Sequence, residues 1–91
     1  MTVLRLSDFA PGTVYTVSAD AQNLTLTLDK AQALSDSGRE GGAFRLEFLG
    51  PGEPVLPQAT YGFRNGDTEH DIFIVPVARE GDAIRYEAVF Y

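Results

Sequence analysis

Ninety-one residues and 9.9 kDa accommodate one domain and leave no room for a second core. Thirteen acidic against seven basic residues give a net charge of −6, which works against binding to phosphate backbones or anionic lipid surfaces. The absence of cysteine removes disulfides, thiolate metal sites and thiol catalysis together, and is compatible with a reducing compartment.

Residues 1–9 lack the apolar stretch of an export signal, and the longest uncharged apolar-rich run, Ile72–Ala78, is short and contains Pro76. These features predict a cytoplasmic protein that spans no membrane. Six of the seven cations are arginines, which make planar two-pronged pairs with carboxylates, so cross-strand pairs are expected.

Leu4 and Leu6 have the spacing of a short edge strand, and Ser7 or Asp8 can cap a turn that lays Phe9 over the open end of the core. Pro11-Gly12 opens a strand over Thr13–Val17, rich in β-branched and aromatic residues, with Ala19–Asn23 as the connection. Leu24, Leu26 and Leu28 alternate with Thr25 and Thr27, the pattern of a half-buried strand. Lys30–Leu34 has good helix propensity over about one turn and predicts a helical corner. Ser35–Gly42 consists mostly of loop formers.

Phe44, Leu46 and Phe48 alternate with Arg45 and Glu47 in a strand that ends at Gly50-Pro51. Prolines 51, 54 and 57 make Pro51–Gln58 an extended crossing unable to form a normal ladder. Thr60–Arg64 is a strand, Asn65-Gly66 a hairpin turn, and Thr68–Val77 the returning strand. Ile72–Val75, apolar on both faces, predicts a sandwiched strand, and Pro76 a bulge or strand end. Arg79–Asp82 turns the chain into Ala83–Tyr91, with Ile84, Tyr86, Ala88 and Phe90 inward. Beside or across from the Phe44 strand, this last strand lets Arg85 and Glu87 pair with Glu47 and Arg45. The expected fold is all-β: residues 1–91 as a single antiparallel sandwich or partly closed barrel of six to seven strands with one short helical turn. No internal repeat is visible.

Chemistry is sparse. His70 is the single imidazole, but Ser7, Ser18, Ser35 and Ser37 all fall at turns or loops and none sits in a nucleophile elbow. Asp67, Glu69 and Asp71 recur every second residue and would line one face of a strand, a conceivable cation site without the spacing of a known loop. Carboxylates at the base of a hairpin more often keep edges from pairing. The glycines of 38–42 lack a phosphate-loop pattern. No catalytic residue, metal ligand or cofactor is therefore assigned, and the chain is not expected to be an enzyme. The aromatics at 15, 44, 48, 61, 63, 73, 86 and 90 would line a cavity if the sheet closed, although small barrels are filled by side chains.

Phe48–Phe63, read as G-P-x-x-P-x-L-P-Q-x-x-Y-x-F from Gly50, together with Asp71–Val77 and the closing Arg85–Phe90, resembles a family of small bacterial proteins of unknown function. Leu6-Ser7-Asp8-Phe9 extends the resemblance to nearly the whole chain. Members of the family it resembles are often encoded near proteins similar to phage tail-collar or tail-fibre proteins, so the resemblance implies a role beside a fibrous assembly; no catalytic residue can be carried over.

The expected function is a non-enzymatic interaction or assembly module that docks on another protein, of tail-collar or fibre-like type, by strand addition. The candidate contacts are Gly38, Arg39, Gly41, Pro54, Pro57, Gln58, Phe90 and Tyr91. A small-molecule or glycan-binding barrel is the alternative, and an acidic inhibitor or immunity-type protein a weaker one.

Overall fold

The alternation of Leu24–Leu28, Phe44–Leu49 and Ile84–Phe90 becomes an inner and an outer face of one sheet in a computed structural model that describes residues 4–19, 22–34 and 42–91. Six strands are present: β1 (Val14–Ala19), β2 (Gln22–Ala33), β3 (Phe44–Pro51), β4 (Ala59–Asn65), β5 (Thr68–Glu80) and β6 (Ala83–Phe90). They run antiparallel in the order β1-β2-β3-β6-β5-β4, and β4 pairs back onto β1, so the sheet closes as a ring rather than splitting into two layers.

The closure is short. Thr16, Val17 and Ser18 pair with Arg64, Phe63 and Gly62, and the Asn65 side-chain amide adds a bond to the Val14 carbonyl at 2.9 Å. The two long strands carry the curvature. β2 pairs with β1 through its first half and with β3 through its second, changing partner beside an irregularity between Leu28 and Lys30. β5 pairs with β4 up to Ile74 and with β6 from Val75, with its irregularity between Pro76 and Ala78, where proline has no N–H to offer.

The irregularity in β2 overturns the expected helical corner. Lys30–Ala33 continues the strand, paired with Glu47, Leu46, Arg45 and Phe44. A five-residue segment is too short to nucleate a stable helix, whereas the β3 ladder bonds its backbone at once. The extra residue also shifts the facing parity from Leu26 and Leu28 to Ala31 and Ala33, so the alternation fails as a guide past Leu28.

Three further expectations change. Leu6 enters a 3₁₀ turn, Leu6–Asp8, instead of an edge strand; the Asp8 carboxylate accepts the Arg5 N–H at 2.8 Å. The predicted connection at 19–23 shrinks, because Ala19 and Gln22-Asn23 belong to strands. The β4–β5 turn is centred on Gly66-Asp67, one residue later than Asn65-Gly66, since Asn65 pairs with Thr68. Gly66 holds φ +60°, which a side chain disfavours.

The interior is filled by aromatic and aliphatic side chains. Phe44, Leu46, Phe48, Phe63, Leu26, Leu28, Ile72 and Ile74 are fully buried, and no polar or charged side chain is buried among the described residues. Phe48 lies 4.8 Å from Phe63 and 6.0 Å from Tyr15, ring centre to ring centre. Gly50 admits the core to its backbone, because a Cβ there would sit 3.0 Å from Leu26 Cδ1.

Each end of the ring is stoppered. Phe9 closes one, packed on Phe44, His70 and Phe90 at 5.5–6.1 Å. Leu56, buried in the segment between β3 and β4, closes the other, its N–H donating to the Tyr86 hydroxyl at 2.8 Å. That segment crosses over β6 and β5 as expected of its prolines, with a cis peptide at Glu53-Pro54.

Phe48→Ala is expected to cost about 3–5 kcal/mol, read as a lower urea midpoint with unchanged slope. Burial raises the Tyr15 phenol above its ordinary value of 10.0. A raised value means stability that is complete below the unfolded pKa and lost as pH rises through the folded one. Tyr15→Phe is therefore expected to lose less stability than wild type on titration above pH 10.0, monitored by thermal unfolding.

Candidate functional site

With the interior apolar, polar chemistry is confined to the outer face and the ends of the ring. Two outer regions stand out. Across β2, β3 and β6, Arg85 donates to Asp29 and Glu47, each at 2.9 Å, and makes a two-pronged pair with Glu80. Arg45 adjoins Glu47 at 3.5 Å and Glu87 at 3.6 Å and donates to Gln32 at 2.6 Å. The β3–β6 register sets Glu47 opposite Glu87, so each arginine reaches a carboxylate diagonally across, the pairing anticipated from the sequence.

Arg85 holds Glu80 below its ordinary carboxylate value through their hydrogen bond, and its own value is raised, chiefly by the bonds to Glu80 and then Asp29. The Arg85 side chain is 13% exposed and that of Glu47 15%, so this part of the network is shielded. It acts as a clasp across strands.

The second region is the outer face of β5 and β6. Phe73 and Val89 are each 50% exposed, and Val75 is half-buried. Val75 pairs with Glu87, and beyond that pair no register links Phe73 to Val89, so the two stand on either side of the point where β5 and β6 part. Val77 is 50% exposed beyond them, and Tyr91 is 72% exposed past the end of β6. Ile72–Val75 is therefore not sandwiched as its composition predicted: Ile72 and Ile74 face the core while Phe73 stands outside, because a closed ring has one buried face only.

Below Phe73 the same face carries Asp71 and Glu69. Glu69 leans over Gly62 of β4, where a Cβ would meet its Oε2 at 2.8 Å. Alternation along β5 gives Glu69 and Asp71 one face, but Asp67, expected to line it with them, lies in the β4–β5 turn, and no group of three potential metal ligands occurs among the described residues. His70 points the other way, half-buried against Phe9 at 5.5 Å, separated from the carboxylates on either side by the strand itself.

The residues nominated as contacts are not brought together. Pro54, Pro57 and Gln58 are exposed at the end stoppered by Leu56; the Pro57 carbonyl accepts the Tyr61 hydroxyl at 2.6 Å. Phe90 and Tyr91 lie at the opposite end, where Phe90 stacks on Phe44 at 4.5 Å and so belongs partly to the core. Gly38, Arg39 and Gly41 lie outside the described residues. Sequence reasoning passed over Phe73 and Val77, and counted Phe73 among the aromatics able to line a cavity. The signal that exposes Phe73 is its position one residue from Ile72 and Ile74, which take the core face.

Arg85→Met is expected to lower stability by about 1–2 kcal/mol at low salt, because Glu80 and Asp29 lose their cation and Glu47 keeps only Arg45. The difference should narrow in 1 M salt, checked by urea denaturation in both conditions. A lowered value at Glu80 means stability present above the ordinary carboxylate range and lost as pH falls through the folded value. Glu80→Gln should consequently show a shallower acid loss than wild type.

No curated protein and no solved structure matches this chain. One family does: the profile described as "Domain of unknown function (DUF6916)" matches residues 4–90, which takes in the 3₁₀ turn and all six strands. The chain belongs to the DUF6916 family.

Proposed function

We propose that this protein is a non-enzymatic interaction or assembly module that docks on another protein through the outside of its barrel. The observation that carries the reading is the apolar outer surface of β5 and β6. Phe73, Val77 and Val89 are half exposed there although the core has fully buried positions for large side chains. Large apolar side chains left exposed on adjacent strands are of the kind that protein contacts use.

The setting we propose is a phage-tail-like or fibre-like assembly, with a tail-collar or fibre-like protein as partner and the cytoplasm as the location. This rests on the resemblance carried by Gly50–Phe63, Asp71–Val77 and Arg85–Phe90. The acidic balance suits a basic docking surface, to which long-range attraction speeds association.

Affinity capture of the tagged protein from its native lysate, with mass spectrometry of the eluate, tests the proposal. Wild type is expected to retain a stoichiometric partner, and Phe73→Ser/Val89→Ser to lose it while circular dichroism stays unchanged. This pair spares Phe90, whose stacking on Phe44 makes truncation of 89–91 a test of folding instead. Undiminished capture by the double variant would move the contact off this surface, and a solitary band from wild type would overturn the reading.

A further inference from the structure

We infer that the edge of β5 at Glu69–Phe73 is a strand-addition site for an extended basic segment of a partner protein, an inference that rests on the interaction reading above. β5 is paired on both sides over only part of its length. Thr68–Ile74 pairs with β4, whereas pairing with β6 begins at Val75. Beyond that point β6 continues alongside β3 as far as Phe90.

The direction of the backbone groups follows from the turn. The Gly66-Asp67 loop makes Asn65 and Thr68 a mutually bonded pair, so residues 68, 70, 72 and 74 direct their N–H and C=O groups at β4. Glu69, Asp71 and Phe73 direct theirs the opposite way, where β6 offers no register partner. Three donors and three acceptors in a row form a ready template for another strand.

The side chains specify which strand. A segment laid on this edge has alternate residues on the outer face, next to Glu69, Asp71 and Phe73, and the others turned inward toward the end closed by Phe9. Lysine or arginine suits the first set and apolar residues the second. Arg64 of β4 stands directly opposite Glu69 on the same outer face, on the side away from the open edge, whereas Asp71 is opposite Gly62 and has no basic residue across from it. A second copy of this chain is disfavoured, since pairing β5 with its own copy would bring Glu69 and Asp71 against the same carboxylates.

The probe is a blocked heptapeptide of alternating valine and lysine, added to the ¹⁵N-labelled full chain. Binding is expected to shift the amides of Glu69, Asp71 and Phe73 and slow their exchange, which in the free protein is fast beside that of Ile72 and Ile74. The same peptide N-methylated at alternate residues, and its valine/glutamate counterpart, should bind at least about tenfold more weakly. Glu69→Lys/Asp71→Lys should reverse the preference between the two charged peptides.

Absent binding of the lysine peptide, equal binding of the N-methylated one, or shifts confined to other strands would each overturn the site. So would a concentration-dependent dimer that protects the same three amides. Failure here is separable from failure of the parent reading. A partner captured equally by wild type and by Glu69→Lys/Asp71→Lys removes the strand site and leaves the interaction module standing.

Discussion

Closure of a single sheet depends on two long strands that each serve two neighbours. β2 and β5 are too long to lie flat against one partner, and each changes partner next to an irregularity, at Leu28–Lys30 and at Pro76–Ala78. An extra residue bends a strand and increases its twist, which is what a six-membered ring requires. The rest follows. Once the ring closes, one face of every strand is buried together, and Phe44, Phe48, Phe63 and Tyr15 fill a space that six strands make narrow.

The same plan occurs twice along the chain. β1-β2-β3 and β4-β5-β6 are both three-stranded meanders of a short strand, a long irregular strand and an eight-residue strand. Their third strands pair along their full lengths, while their first strands touch over three pairs, so one join is strong and the other weak. The Arg45 and Arg85 clasps sit across the strong join, and Asn65 reinforces the weak one. No repeat shows in the residues, because the alternation both halves obey is met equally well by leucine, isoleucine or phenylalanine.

The core is apolar among the described residues, and the charged side chains lie on the surface. Like β2, which hands over from β1 to β3, β5 hands over from β4 to β6 at Ile74–Val75, so its first half is joined on one side only. Exposed apolar residues and carboxylates meet along that stretch. The bend that closes the ring thus leaves the first half of β5 paired on one side.

The sequence by itself determined the local facts. Period two placed β1, β3, β4 and β6, the prolines marked the crossing, although Pro51 itself ends β3 paired with Ala83 and the crossing begins at 52, Pro76 marked an irregularity, and opposite charges at 45, 47, 85 and 87 announced their pairing. Asp8 and Phe9 announced a capped turn closing the core. Only the tertiary structure decided the rest. Lys30–Ala33 became strand because β3 was there to pair with it, although its own residues favour helix. Phe73 went outside because a ring buries one face, although Ile72–Val75 reads as buried on both. Whether the sheet closes, and therefore which edge stays open, depends on pairings between residues as far apart as Val17 and Phe63. Alternation records which way a side chain points, but not which strand lies beside it.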